Sequence, residues 1–174
     1  MTLFYDARGN IYGVVSPASL SSKGINVPES AERAARTRGA WAASAVASEC
    51  SWGLLPRPVD GKAHRCDGLL VGPFQDEPPF DLLIVNTDGT LAERSGNGLT
   101  IFAQALTDRG LMTEACELRV HHDKSDAVSP VPRGWSQPFV TTSQGSGLTS
   151  ECPPSDLRRW ARRGLAKCFR RALN

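Results

Sequence analysis

The sequence predicts an α+β fold, and three observations support this class. The apolar run Leu82–Val85 is typical of a buried strand. The residues after it carry apolar side chains at i, i+3, i+4 and i+7, which predicts one buried face of a helix. The members of this face are Leu99, Phe102, Ala103 and Leu106. Near the start of the chain, residues 3–15 predict a strand, a Gly9-Asn10 turn and a second strand.

The predicted helix has recognisable signals at both ends. Ser95 is a suitable N-cap, and Gly110 is placed just past the C-terminus. Gly96 and Gly98 leave backbone N–H groups open to a ligand, and a helix N-terminus attracts anions. The sequence alone leaves two interpretations open here, an anion site with Ser95 at its edge or a plain helix cap.

Four ordered segments carry a resemblance to a known family. The segment NTDGT at 86–90, a spacer and SGNG at 95–98 resemble the first active-site segment of diaminopimelate epimerases. FYDARGNIYGVV at 4–15, HRCDGLLVG at 64–72 and ELRV at 117–120 resemble further segments of that family in the same order. The resemblance covers roughly residues 1–120, with a gap between about 20 and 60. It implies one half of a diaminopimelate epimerase-like fold, in which a mixed, curved, barrel-like sheet wraps around the helix Gly96–Arg109.

The same resemblance implies a function. Members of the family are epimerases or racemases that move a proton at the α-carbon of an amino acid, with no cofactor and no metal, in lysine and cell-wall synthesis. It implies a small amino acid as the substrate. Ser95 stands at the position of the family's first catalytic cysteine. The matching substrate-binding positions are Asn10, Asn86, Gly96 and Asn97.

Two departures from the family predict impaired activity. A thiol has an ordinary pKa near ~8.5, whereas a serine hydroxyl is a far weaker acid and needs a neighbouring base, for which Glu93 is the nearest candidate. The sequence also lacks the second cysteine motif of the family's later half, so we expect a truncated protein. Two alternatives remain open: a non-catalytic remnant or carboxylate-binding module of the same fold, and a homodimer that rebuilds a two-lobed cleft.

Composition divides the chain into three parts. Residues 1–122 are predicted as the epimerase-like domain, and residues 123–154, rich in Pro, Ser and Gly, as a poorly ordered segment. Residues 155–174 predict an amphipathic helix with many arginines and a single acid, Asp156. This helix either docks by its apolar face, binds nucleic acid or an anionic surface, or is a frame-changed tail.

Other features exclude several classes of protein. No apolar run approaches the ~20 residues of a membrane span, and the first residues do not resemble a secretory signal, so we expect a cytoplasmic protein. The five cysteines lack the spacing of a disulfide framework or a zinc ribbon, and Cys66 is expected to be structural. His121 and His122 would point to opposite faces of a strand, so we expect no metal site there.

Overall fold

The computed structural model of the chain describes residues 1–112, 116–124, 134–142 and 145–148, the last two ranges as backbone strands. The predicted basic helix at 155–174, with its possible nucleic-acid or anionic-surface contact, lies outside the described residues. The strands are β1 Leu3–Ala7, β2 Asn10–Val15, β3 Gly68–Val71, β4 Phe80–Asn86, β5 Leu91–Ala92, β6 Cys116–His121, β7 Gly134–Thr142 and β8 Gly145–Leu148. The helices are α1 Pro17–Ser21, α2 Ala31–Arg36, α3 Ala42–Glu49 and α4 Gly96–Asp108, with a 3₁₀ turn at Arg38–Ala40.

The strands form one mixed sheet that curves around helix α4. Its order is β1-β2-β3-β4-β6-β7-β8, and β5 pairs with β4. The β2–β3 and β4–β6 pairs are parallel, and the other pairs are antiparallel. Helix α4 contacts β1 and β2 at one side of the sheet and β8 at the other. The predicted α+β class with a mixed sheet around a central helix is confirmed, although the sheet is open over the described strands.

The first hairpin differs from its predicted form by one residue. Arg8 and Gly9 both have positive φ, 55° and 86°, as a two-residue hairpin loop requires. Asn10 is therefore the first residue of β2, paired with Ala7, and not a turn residue as the Gly9-Asn10 pattern predicted. The reason is that glycine tolerates the second left-handed position of the loop without steric cost.

Helix α1 begins two residues after β2, in a segment rich in Ser, Pro and Gly. The Ser16 side chain accepts a hydrogen bond from the Ser19 N–H at 3.2 Å, and Pro17 occupies the first turn. A five-residue helix is too short to display apolar periodicity, so its sequence resembles a loop. Helices α2 and α3 form from the alanine-rich segments Ala31–Arg36 and Ala42–Glu49, since alanine favours helix.

The sheet buries a separate cluster of apolar side chains on each face. One cluster packs between the sheet and α4 and includes Tyr5, Leu70, Ile84, Leu99 and Phe102. The other packs between the sheet and helices α1–α3 and includes Trp41, Cys50, Cys66, Leu83 and Val85. The alternation of Ile84 and Val85 between the two clusters shows that β4 is covered on both faces, as its continuous apolar sequence predicted.

Candidate functional site

Ser95 caps the N-terminus of α4. Its backbone is extended, with φ −152° and ψ 116°, and its Oγ accepts a hydrogen bond from the Gly98 N–H at 3.1 Å. A β-carbon on Gly98 would lie 3.2 Å from both Ser95 Oγ and a methyl group of Leu70. Glycine at 98 thus allows the hydroxyl to approach the helix closely, and the predicted N-cap is confirmed.

The first two amides of α4 remain open. Among the described residues, no acceptor binds the N–H of Gly96 or the N–H of Asn97. Both residues are exposed. Unpaired N–H groups at a helix N-terminus carry partial positive charge, so this end of α4 favours an anion.

A row of paired residues on three neighbouring strands leads to this end of the helix. Tyr12 pairs with Gly68, and Gly68 pairs with Asn86. Residues paired across a sheet point to the same face, and Tyr12 pairs with Tyr5 of the cluster under α4. Tyr12 and Asn86 therefore both face α4, with Gly68 between them.

Tyr12 is the direct side-chain neighbour of Ser95. Its hydroxyl oxygen lies 3.3 Å from Ser95 Oγ. A β-carbon at position 68 would lie 3.1 Å from the Tyr12 ring and 2.6 Å from the Val85 carbonyl oxygen, so the ring occupies space that a larger residue would need. Sequence reasoning did not identify Tyr12, although its place two residues after Asn10 puts both on one face of a strand.

The two predicted asparagines lie at the same edge of the sheet but differ in their contacts. Asn10 is exposed at the start of β2, on the face that carries Tyr12. The Asn86 Nδ2 donates to Thr90 Oγ1 at 3.0 Å, and that hydroxyl donates to Asp88 Oδ1 at 2.6 Å. Asn86 is thus partly held by its own turn, and its role in ligand binding stays a prediction.

Glu93 is engaged away from the Ser95 hydroxyl. Its Oε1 lies 2.9 Å from Lys124 Nζ in an exposed ion pair. The hydrogen bond and the charge of Lys124 lower the pKa of the Glu93 carboxyl, which makes it a weaker base. Within the described part of the chain, the polar groups that contact Ser95 Oγ are the Gly98 amide and the Tyr12 hydroxyl.

His121, one of the two adjacent histidines, pairs with an acidic side chain. His121 Nε2 lies 2.9 Å from Asp81 Oδ1, and Gln75 donates to the other oxygen of that carboxylate at 2.9 Å.

The residues that the structure describes contain no group of three or more side chains able to hold a metal ion. The same residues include no helix whose length and apolar character suit a membrane crossing.

A groove lies at the C-terminal end of α4, and Ser95 is not among its lining residues. Its volume is about 770 Å³, and its lining includes Pro17 and Phe74 as well as Arg109. Because none of the residues matched to the family's binding positions lines this groove, its size does not define the candidate site.

The site is thus a capped helix N-terminus with open amides beside a mixed sheet, and the class of protein comes from sequence comparison. The chain is 51% identical over 67 residues to "Diaminopimelate epimerase 2" of a Nostoc species. The aligned stretch is 35% of this chain and 24% of that relative, so the chain matches about a quarter of the relative's length. Part of the chain is therefore diaminopimelate epimerase-like in sequence, as the motifs predicted.

No protein-family model matches the chain. The crystal structure of methylitaconate-delta-isomerase aligns with 87% of this chain and 64% of its own, at 12% identity and a TM-score of 0.39.

Proposed function

We propose that the N-terminus of α4 binds the α-carboxylate of a small amino acid, as one half of an epimerase-type site. The observation that carries this proposal is the pair of open amides at Gly96 and Asn97, next to a Ser95 hydroxyl already occupied as a cap. Two N–H donors and the positive end of a thirteen-residue helix suit a carboxylate.

The partial similarity in sequence supports an amino acid as the ligand. The relative is named a diaminopimelate epimerase, so diaminopimelate is the first ligand to test. The extended form of the proposal is cofactor-independent epimerisation or racemisation, a proton transfer at the α-carbon in lysine or cell-wall synthesis. Asn10 and Asn86 would then contact the rest of the amino acid, Asn86 after release from Thr90.

The contacts of Ser95 support binding more strongly than catalysis. Removal of an α-proton needs a base, and the Ser95 oxygen meets a backbone N–H and a second hydroxyl, neither of which accepts its proton at neutral pH. Inversion also needs a second proton donor on the opposite face of the α-carbon. We propose that this donor comes from a second copy of the chain or from further polypeptide, and that activity without it is impaired.

A titration followed by amide NMR tests the binding proposal. Addition of L,L-diaminopimelate to ¹⁵N-labelled protein should shift the amide signals of Gly96 and Asn97 more than those of Gly110. The matched control is Ser95→Asp, since Asp and Ser cap helices about equally well. The Asp carboxylate should keep the helix folded yet repel the ligand. Equal shifts at both helix ends, or unchanged affinity in Ser95→Asp, would refute the site.

Deuterium exchange separates binding from catalysis. In deuterated water, the wild-type chain should leave the α-proton of diaminopimelate in place, whereas Ser95→Cys should raise α-deuterium incorporation because a thiol near a helix N-terminus forms a thiolate readily. Wild-type exchange as fast as that of Ser95→Cys would mean that the hydroxyl acts as a base, and it would contradict the proposal of impaired activity.

A further inference from the structure

Two cysteines distant in sequence meet in the core on the face of the sheet away from α4. Cys50 follows the last residue of α3, and Cys66 lies two residues before Gly68, the first residue of β3. Their side chains are 0% and 2% exposed, and both are free thiols that contact each other. The backbone ties them as well, since the Arg65 N–H donates to the Cys50 carbonyl oxygen at 2.9 Å.

The surroundings distinguish the two sulfur atoms. The Cys50 thiol and the N–H groups of Gly68 and Gly13 lower the pKa of Cys66, and burial opposes them. The Arg65 guanidinium, stacked over the Phe4 ring at 3.8 Å, adds positive charge. Several donors and a cation around one sulfur stabilise its thiolate, so Cys66 is the thiol of the pair that ionises first.

The interaction between the two free thiols shifts their pKa values in opposite directions. The hydrogen bond from Cys50 is the largest factor that lowers the pKa of Cys66, and the backbone donors add to it. The same hydrogen bond, followed by burial, raises the pKa of Cys50 far above the ordinary thiol range. Cys66 is therefore the more acidic thiol of the pair, and Cys50 is the one that holds its proton more tightly.

We propose that Cys50 and Cys66 are a redox modification site that forms a reversible disulfide, with Cys66 as the attacking thiolate. The oxidant is a small peroxide. The Cys66 thiolate attacks the peroxide O–O bond and displaces hydroxide, which takes up a proton to become water, and Cys66 becomes a sulfenic acid. Cys50 then loses its proton, attacks the Cys66 sulfur and displaces a second hydroxide, which leaves as water. Two electrons pass from the two sulfurs to the peroxide, and one S–S bond forms.

The segment between the two cysteines gives the oxidant its route. Residues 51–65 contain no regular helix or strand, and most of 53–60 is exposed, with Leu54 and Val59 pointing into solvent. Exposed segments with few packed side chains open locally at low cost, which brings small molecules to buried neighbours. The disulfide would close this segment into a covalent loop and fix the start of β3.

Peptide mapping of the full chain tests the proposal. The protein is treated with a small excess of hydrogen peroxide, free thiols are blocked under denaturing conditions, and the chain is digested with trypsin without reduction. The peptides 39–62 and 66–94 each contain one cysteine of the pair. They should appear joined and lighter by two hydrogen atoms than their sum, and a dithiol should separate them.

Variants identify the attacking sulfur. Cys50→Ser should leave a sulfenic acid on Cys66 that dimedone captures, whereas Cys66→Ser should leave Cys50 unlabelled. Cys116→Ser is the matched control, because Cys116 contacts Met112 instead of the pair and its loss should leave the cross-link yield unchanged. Circular dichroism checks that each variant folds.

Two results would overturn the proposal. One is a folded wild-type chain in which peptides 39–62 and 66–94 stay separate after peroxide while Cys66 becomes sulfinic acid. The other is an equal yield of this cross-link when the protein is oxidised in denaturant, since the folded core would then contribute nothing. The wild-type mapping is decisive even if a serine variant fails to fold.

Discussion

Helix α4 is closed at its C-terminal end by backbone alone and at its N-terminal end by one side chain. At the C-terminal end, the Leu111 N–H donates to the Leu106 carbonyl at 3.0 Å and the Gly110 N–H to the Thr107 carbonyl at 2.9 Å. Gly110 has φ +72°, which completes a Schellman motif. At the other end, the Ser95 hydroxyl binds one amide and leaves two open. The difference teaches that the backbone satisfies one end of the helix, whereas the other end keeps two free donors, which the proposed carboxylate ligand would use.

Tyrosine hydroxyls from neighbouring strands reach both ends of the helix. The Tyr5 hydroxyl donates to Asp108 Oδ2 at 3.0 Å, and the Tyr12 hydroxyl lies 3.3 Å from Ser95 Oγ. Tyr5 is 2% exposed, whereas Tyr12 is half-buried. The Tyr5 ring therefore belongs to the core, although its acceptor Asp108 is exposed, whereas Tyr12 lies at a partly exposed surface beside Ser95.

The largest loss of stability should come from a substitution in the middle of α4, where the buried face of the helix packs in the core. Phe102 is 0% exposed, so Phe102→Ala should lower the free energy of unfolding by about 3–5 kcal/mol through lost burial and a new cavity. Chemical denaturation measures this loss. A loss no larger than that of Ser95→Ala would mean that the caps, and not the buried face, hold the helix.

The C-terminal end should contribute to stability without contributing to binding. Gly110→Val forces a β-branched residue into a left-handed conformation and should cost about 1–2 kcal/mol. The amide shifts that diaminopimelate induces at Gly96 should stay the same. If the variant instead lost binding while still folded, the two ends would not be independent.

The N-terminal end of α4 should contribute both to stability and to ligand binding. Ser95→Ala removes the cap and should cost about 1 kcal/mol, whereas Ser95→Asp should leave the free energy of unfolding nearly unchanged. Thermal unfolding of the two variants, combined with their ligand titrations, separates capping from binding. Tight carboxylate binding by Ser95→Asp would contradict a ligand site at this end, because a fixed negative charge there should repel a carboxylate.

The two tyrosines provide a smaller, matched test. Tyr5→Phe leaves a buried position without its hydrogen bond and should cost about 1 kcal/mol. Tyr12→Phe should cost less, because its contact is longer and partly exposed, but it should change the ligand titration at Gly96. Equal stability losses together with unchanged titrations in both variants would contradict the assignment of Tyr12 to the site.

The smallest effect is a pH dependence that arises away from both ends of α4. Burial raises the pKa of Asp81, but hydrogen bonds from His121 and Gln75 and the charges of His121 and Arg119 outweigh it, so the pKa is lowered overall. Its stabilisation is present above the unfolded value of about 3.9 and is lost as pH falls through the lower folded value. Asp81→Asn should flatten that part of a stability-against-pH curve. An unchanged curve would place the acid sensitivity elsewhere.

Local sequence signals predicted α4 well because its caps and apolar face depend on neighbours within a few residues. Ser95, Gly110 and Leu99 all lie where the sequence placed them. The contact between Tyr12 and Ser95 depends instead on the parallel pairing of β2 with β3, which are separated by three helices and a long loop. No local pattern fixes that register, so the sequence did not identify Tyr12.

The same reasoning explains why the asparagines were only partly anticipated. The family pattern identified Asn10 and Asn86, but it carries no information on the competition between a ligand and the Thr90 hydroxyl for the Asn86 amide. The meeting of Cys50 and Cys66 is likewise a product of tertiary packing, because fifteen residues separate them and neither lies in a spacing motif.

Gly68 fixes the spacing of two residues beside the site and has no side chain to contact a ligand itself. It has no side chain, yet the Tyr12 ring and the Val85 carbonyl both fill the place where one would begin. Any side chain at position 68 would therefore collide with the backbone of the neighbouring strand as well as with the phenol, so the spacing between Tyr12 and Asn86 depends on a residue that has no side chain.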